Sequence, residues 1–193
     1  LGGYFDYLKD SAWTWEFMAL TRARPISGPT EMQTRISSRI RNLLTMPRDA
    51  NKLILDVDHM RSRMICEHRG DSIWDIKHHR GGLVDIEFIA QKLQLSFGPE
   101  NSTVLSPTTM EALRKLSAAN ALSLDDAGVL ISALKLWQGL QSIIRLIGPE
   151  RLDDGQPPAG QVNALCRVAG VETFDALRLS VEEKAAAVHD TFT

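Results

Sequence analysis

The residues whose types and spacing best suit chemistry lie between positions 74 and 89. A glycine pair, Gly81 and Gly82, stands directly before an apolar run where a helix would begin, and Lys77 and Arg80 precede it. The first N–H groups of a helix lack partners within the helix and lie at the positive end of its dipole. With two cationic side chains beside them, these groups could hold an anion such as phosphate.

Two carboxylates follow the glycines and leave the role of this segment open. Asp85 and Glu87 fall in the first turns of the predicted helix, where negative charge offsets the dipole, so the glycines could simply permit a tight turn. Glu87 stands among apolar residues, and burying it unpaired would cost several kcal/mol. It therefore faces either a cavity or a basic partner, for which Arg22 and Arg24 are candidates. A structural ion pair and an active-site carboxylate both remain open.

Two other patterns imitate metal sites. Asp56 and Asp58 follow an apolar run, as do the paired carboxylates with which nucleotidyltransferases hold two Mg²⁺ ions. Residues two apart on a helix, however, point about 200° from each other, and no Gly-Ser turn precedes them at a suitable spacing. We interpret them as a solvated helix face. His78 and His79 are adjacent and have no further ligand at zinc spacing, so we expect no metal ligand there.

Composition limits the classes of partner. The chain has 193 residues, 44% of them hydrophobic and 24% charged, as in ordinary globular proteins. Its formal net charge of -2 provides no general attraction to nucleic acid or to an anionic membrane. No uninterrupted apolar run approaches the roughly 20 residues of a membrane span. The two cysteines, Cys66 and Cys166, have no CxxC spacing, which favours a reducing, cytoplasmic location.

The apolar spacing predicts an all-α helical bundle, because three- and four-residue steps recur and no alternating strand series is present. A short extended patch is expected at 73–77, before the glycine pair. The predicted helices cover residues 4–22, 30–44, a segment around 53–64, 83–97, 106–120, 123–147, 162–169 and 181–190.

Residues 12–28 and 75–91 carry a family resemblance. The first reads Ala-Trp-Thr-Trp-Glu-Phe-Met-Ala-Leu-Thr-Arg-Ala-Arg-Pro-Ile-Ser-Gly, and the second contains Asp-Ile-Lys and Gly-Gly-Leu-Val-Asp-Ile-Glu-Phe-Ile-Ala-Gln. Together with residues 60–64 they closely resemble the bacterial glutamine synthetase adenylyltransferases, over about residues 6–97. The Ala-Trp-Thr-Trp-Glu version is similar to the C-terminal half of that family, which attaches AMP.

The resemblance implies a parent enzyme that transfers AMP from ATP to a tyrosine of glutamine synthetase, requires Mg²⁺, and is controlled by the PII protein and glutamine. Its other half removes AMP. In the family, the catalytic aspartates and a Gly-Ser turn precede the Trp-rich helix, and none of them occurs here. We therefore assign no catalytic residue and no metal ligand. The chain also opens at Leu1 without methionine, which suggests a fragment of a larger enzyme that contains an α/β nucleotidyltransferase core.

The expected organisation follows from this placement. Residues 1–97 would adjoin the nucleotidyltransferase core, and residues 98–193 would form a C-terminal helical bundle, separate from the first part or continuous with it. The isolated chain would be inactive and would hold no cofactor tightly. The candidates for the side that faces the nucleotide are Lys77, Gly81, Gly82, Asp85, Glu87, Arg22 and Arg24.

Two alternatives compete with this interpretation. The helices could form a non-catalytic module that docks glutamine synthetase or the PII protein. In that case the glycine loop should be buried as a turn, whereas a nucleotide-facing loop should open into a cleft. The chain could also belong to a related uridylyltransferase, which has a similar lysine and Gly-Gly-Leu-x-Asp segment. The Trp13-x-Trp15-Glu16 motif argues against that origin.

Overall fold

A computed structural model describes residues 2–67, 72–147, 152 and 158–192. Within this part of the chain the regular elements are nine α-helices and one short 3₁₀ helix, without a strand, which confirms the all-α prediction. The predicted helix stop at Gly148 and Pro149, and positions 155–157 of the predicted loop, lie outside the described residues.

The helices follow one another along the chain with short connections. They are α1 (Gly2–Asp10), α2 (Thr14–Leu20), α3 (Thr30–Leu44), α4 (Ala50–Glu67), α5 (Leu83–Phe97), the 3₁₀ helix (Ser102–Val104), α6 (Thr109–Ala118), α7 (Leu124–Ile147), α8 (Ala159–Ala169) and α9 (Phe174–Phe192).

The prediction of one helix over residues 4–22 was wrong, because the chain forms α1 and α2 with a break between them. The carboxylate of Glu16 explains the break. Its Oε2 accepts the N–H of Trp13 at 2.9 Å and the hydroxyl of Tyr7 at 3.0 Å. A glutamate three residues into a helix satisfies an N–H group that has no partner within the helix, so a new helix begins at this point. Apolar spacing alone does not reveal such a cap.

The extended patch expected at 73–77 was also wrong, since these residues form successive turns. Trp74 and Ile76 are nonetheless buried, at 3% and 2% exposure. The Trp74 ring stacks on Phe174 with ring centroids 5.2 Å apart. The alternation of apolar and polar residues in this segment therefore arises from a compact loop rather than from a strand.

Three helix starts differ from the sequence prediction. α6 begins at Thr109 rather than Ser106, whose N–H instead donates to Gln94 Oε1 at 2.7 Å. α8 and α9 begin earlier than expected, at Ala159 and Phe174. In each case the helix itself was identified correctly, and only its first residue differs from the predicted one.

The chain divides into two compact units, each built from two segments. The first unit comprises Leu1–Arg61 and Phe88–Leu124, and the second comprises Ser62–Glu87 and Asp125–Thr193. This division passes through α4 and α5. The boundary that the sequence predicts after residue 97 stays a prediction. Buried side chains of the first unit include Leu8, Met18, Leu44, Val57, Leu95, Leu113 and Leu116, and those of the second include Ile76, Ile86, Leu134, Trp137, Leu165 and Val181.

Helix α7 has the predicted apolar face, and Leu130, Leu134, Trp137 and Leu140 along it are completely buried. By length and composition, residues 124–146 are the one segment of the described chain that could cross a membrane, with a mean hydropathy of 1.2. Of its apolar window, 44% is buried within the protein. A core helix satisfies the same criterion, and its packing accounts for the buried face.

Candidate functional site

The N–H groups of the glycine turn, residues 81–84, already have acceptors within the protein. The N–H of Gly81 donates to Asp85 Oδ2 at 2.6 Å. The next three N–H groups donate to backbone carbonyls: Gly82 to His79 at 2.9 Å, Leu83 to Ile76 at 2.9 Å, and Val84 to Lys77 at 3.1 Å. These are the donors that the sequence analysis considered for an anion. Because each is bonded internally, the backbone of the turn does not form an open phosphate cradle.

The turn also packs closely against other helices of the second unit. Gly81 has a φ of +77°, and a Cβ placed on it would lie 1.9 Å from the carbonyl oxygen of Ala185 in α9. Its own carbonyl accepts the indole N–H of Trp137 at 3.2 Å. The His79 ring meets the same indole edge-to-face, with centroids 5.6 Å apart. The glycine turn is thus a buried junction where the start of α5 contacts α7 and α9.

The charged candidates near this turn differ in exposure. Lys77 and Arg80 are exposed, Glu87 is half-buried, and Asp85 is 1% exposed because it caps the turn. The hydrogen bonds therefore bring Lys77, Gly81, Gly82 and Asp85 into one structure, and the lysine side chain is directed outward. A nucleotide contact through that side chain stays a prediction.

Arg22 and Arg24 lie in the loop after α2, in the first unit, and both are exposed. The pairing of Glu87 with Arg22 stays a prediction, whereas the described residues provide no partner for Arg24. Trp13 and Trp15 nearby in the chain are 71% and 55% exposed, whereas Met18 is 2% exposed. Met18 therefore belongs to the core of the first unit, whereas both indole rings are exposed.

The first unit contains a pocket that the sequence did not predict. Arg24 is the one residue of its lining that was among the predicted site residues. The pocket has a volume of about 180 Å³ and opens between the loop after α2, the helix α3 and the segment before α6. Its lining consists of Thr21, Ala23, Arg24, Pro25, Ser37, Ile40, Arg41, Leu44, Leu105, Ser106 and Pro107. The signal in the sequence was a polar row on α3 at three- and four-residue steps, which is ordinary on a solvated helix face.

Arg48 holds the C-terminal end of α3 and thereby the floor of this pocket. Its guanidinium donates to the carbonyls of Leu43 and Met46 at 2.7 Å and of Leu44 at 3.1 Å. It also lies over the Phe17 ring at 4.5 Å from the centroid. Burial lowers the pKa of Arg48 to about 10, so the guanidinium stays charged at neutral pH and closes a helix end that carries partial negative charge.

The Asp56 and Asp58 pair lies on α4, as interpreted from the sequence. Asp56 accepts hydrogen bonds from Thr14 and from Lys52, the latter at 2.7 Å, and these bonds lower the pKa of its carboxyl group. Asp58 is exposed. Among the residues that the structure describes, no three His, Cys, Asp or Glu side chains form a group that could hold a metal ion.

Comparisons with known proteins place the chain in a wider context. The model of the family described as GlnD PII-uridylyltransferase matches residues 48–193. Three bifunctional glutamine synthetase adenylyltransferase/adenylyl-removing enzymes are similar over nearly all of the chain. One from Rhodopseudomonas palustris strain TIE-1 is 38% identical over 192 residues, one from Brucella suis biovar 1 is 38% identical over 188, and one from Bradyrhizobium diazoefficiens is 34% identical over 193.

These relatives match 100%, 96% and 100% of the chain, respectively, but the matched region is 19% of each relative. The chain therefore spans about a fifth of their length. The resemblance inferred from the tryptophan and glycine motifs is confirmed, and it extends through the last third of the sequence, beyond the 6–97 region from which it was recognised. Because the family model covers well over half of the chain, this protein belongs to the GlnD PII-uridylyltransferase family, in a form similar to part of the glutamine synthetase adenylyltransferases.

Proposed function

We propose that this chain is the helical region that accompanies the C-terminal nucleotidyltransferase core of a glutamine synthetase adenylyltransferase. The parent enzyme would transfer AMP from ATP to a tyrosine of glutamine synthetase and would remove it with its other half, regulating nitrogen assimilation in the cytoplasm. The observation that carries this proposal is the full-length similarity, at 34–38% identity, to proteins about five times as long whose names state both activities.

In this proposal the chemistry takes place outside the chain. Two-metal transfer needs carboxylates that converge on the ions, but Asp56 is bonded to Thr14 and Lys52, and Asp58 points about 200° away on the same helix. These residues do not fit a Mg²⁺ site. ATP and Mg²⁺ would be bound by other parts of the parent, and the isolated chain would be inactive.

The helices would contact the nucleotide through side chains alone. Because the backbone N–H groups of residues 81–84 already have acceptors, we expect the contact to come from Lys77, whose exposed ammonium lies beside the start of α5. We expect Lys77→Ala in the whole enzyme to raise the KM for ATP about tenfold, which corresponds to loss of one charge-assisted contact. Lys135→Ala, an exposed lysine on α7, is the matched control. An unchanged KM and kcat in the Lys77 variant would remove this residue from the nucleotide side.

A second candidate function is favoured by the buried glycine turn. A turn packed against Ala185 and Trp137 is what a docking module for glutamine synthetase or the PII protein would show. Calorimetric titration of the chain with ATP and Mg²⁺, with glutamine synthetase and with PII separates the two functions. Heat from either protein without any from ATP favours docking, whereas ATP binding by a longer chain that restores the upstream residues favours the nucleotide-side role.

The substrate of the parent needs its own assay, because the family model is described as a uridylyltransferase and the relatives are named as adenylyltransferases. Whole enzyme incubated with glutamine synthetase and labelled ATP, and separately with PII and labelled UTP, distinguishes them. The proposal requires label on glutamine synthetase. Label on PII alone would reassign the chain to the uridylyltransferases.

A further inference from the structure

The pocket of the first unit continues into an exposed strip of α3. This strip shares Ser37 and Arg41 with the pocket, extends toward the start of the helix at Thr30, and is lined by residues of α3 alone. We call the two together the arginine groove, which is lined on α3 by residues from Thr30 to Leu44 and ends at Leu105 and Pro107. At 1.5 Å per residue, this face of α3 is about 21 Å long. An extended peptide of about six residues has the same length.

The floor and the rim of the arginine groove differ in chemistry. Ile40, Leu44 and Leu105 provide an apolar floor to the pocket, and Arg24 and Arg41 are exposed at its rim. The pocket has a volume of about 180 Å³, and a cavity of about 150 Å³ holds a benzene ring. One leucine or aromatic side chain of a bound molecule would therefore fit on the floor, while its neighbouring polar groups reach the guanidinium groups of Arg24 and Arg41.

Charge identifies the sign of the occupant. Residues 21–44 contain five arginines and one glutamate, a net charge of +4, in a chain whose overall charge is -2. The described residues that line the arginine groove include two arginines and no carboxylate. Within that part of the chain no side chain pairs with Arg24, and Arg41 makes one long bond, at 3.3 Å, to Ser102 Oγ. A carboxylate is a stronger acceptor for a guanidinium than a serine hydroxyl.

We propose that the arginine groove binds an extended, acidic peptide segment of a partner protein, anchored by one apolar side chain. The peptide's carboxylates would pair with Arg24 and Arg41, and its apolar side chain would lie on Ile40 and Leu44. The length of the groove favours a peptide over a small anion, because a single phosphate or carboxylate would contact the arginines and leave the strip along Thr30 and Thr34 uncovered. The proposal does not depend on whether the helices contact a nucleotide.

Fluorescence anisotropy with a labelled hexapeptide, EDLDEE, tests the proposal on the 193-residue chain. Binding is expected in the micromolar to submillimolar range and should weaken as salt rises, because these charges lie at the surface. Replacing the leucine of the peptide by glycine, or its acids by lysines, should weaken binding at least about tenfold. ATP and inorganic triphosphate are added as competitors.

Four protein variants complete the test, three within the arginine groove and one outside it. Arg24→Gln and Arg41→Gln should each weaken EDLDEE binding about fivefold to tenfold, whereas Arg145→Gln, an exposed arginine of the second unit, should stay within twofold. Ser37→Phe, which fills the groove without changing its charge, should abolish binding of the EDLDEE peptide. Circular dichroism confirms that each variant is folded. Three results would each overturn the proposal. They are equal binding of the acidic and basic peptides, peptide binding that the arginine variants do not change, and full displacement of the peptide by triphosphate together with no dependence on the peptide's leucine.

Discussion

The glycine turn of the second unit and the arginine groove of the first unit both collect groups that attract anions, but only one leaves them available. In the turn, the amides of residues 81–84 are bonded and Gly81 contacts Ala185 and Trp137. In the groove, Arg24 and Arg41 are exposed above a hollow. A sequence motif that resembles an anion site, such as the glycine pair, can therefore serve as a structural junction. The binding surface that we propose lies instead along α3, where the sequence contains no such motif. Four predictions test this contrast.

The largest effect is expected at Gly81. Gly81→Ala adds a Cβ 1.9 Å from the Ala185 carbonyl oxygen at a φ of +77°, so we expect a loss of about 3–5 kcal/mol in the free energy of unfolding. Gly170→Ala is the matched control, since Gly170 has a φ of +71° with nothing within 4 Å of an added Cβ. It should cost about 1 kcal/mol. Urea denaturation of both variants measures the difference, and equal losses would show that the contact with α9 contributes nothing.

Trp137 should show the next largest effect. Trp137→Phe removes the indole donor from the buried carbonyl of Gly81 and leaves a void, so the loss should be about 2 kcal/mol. Trp15→Phe changes an indole that is 55% exposed and should cost less than about 0.5 kcal/mol. The two are compared by thermal unfolding. A Trp137 variant as stable as the Trp15 variant would argue against a closed turn.

A smaller, pH-limited effect is expected at Asp56 in the first unit. The hydrogen bonds from Lys52 and then Thr14 hold the pKa of Asp56 below its ordinary value. A folded-state pKa below the unfolded value stabilises the fold above the unfolded pKa, and this contribution is lost as pH falls through the folded pKa. Because the group is largely solvated, we expect at most about 0.5 kcal/mol. Urea denaturation at a series of pH values should show that Asp56→Asn flattens the pH dependence of stability below about pH 4 relative to the unchanged protein, and an identical dependence in both would contradict the role of these hydrogen bonds.

The smallest effect on stability is expected at the arginine groove. Arg24→Gln should change the free energy of unfolding by less than about 0.5 kcal/mol, because the described residues provide no partner for its guanidinium. Chemical denaturation of this variant beside Arg48→Gln sharpens the comparison, since Arg48 donates to three carbonyls and should lose about 2 kcal/mol. A large loss at Arg24 would mean that the groove is structural, like the turn.

The contrast also explains which features the sequence predicted. The apolar patterns of α5 and α7 located these helices, because burial on a continuous face leaves a regular spacing. The break before Trp13 depends on one carboxylate, that of Glu16, and spacing does not record it. The glycine pair correctly indicated a special turn, but its acceptors were not evident, because Trp137 and Ala185 are distant in sequence. Arg41 was missed for the same reason, since folding brings it near Leu105 and Pro107.

The arrangement of each unit from two separated segments has a consequence for synthesis. Residues 88–124 complete the unit that residues 1–61 begin, and residues 62–87 must leave the ribosome between these two segments. That unit therefore cannot close before residues 88–124 have emerged, and until then the apolar faces of its first segment lack the contacts that α5 and α6 provide. Contacts between such distant segments slow folding, and chaperones bind the apolar surface that is exposed in the meantime.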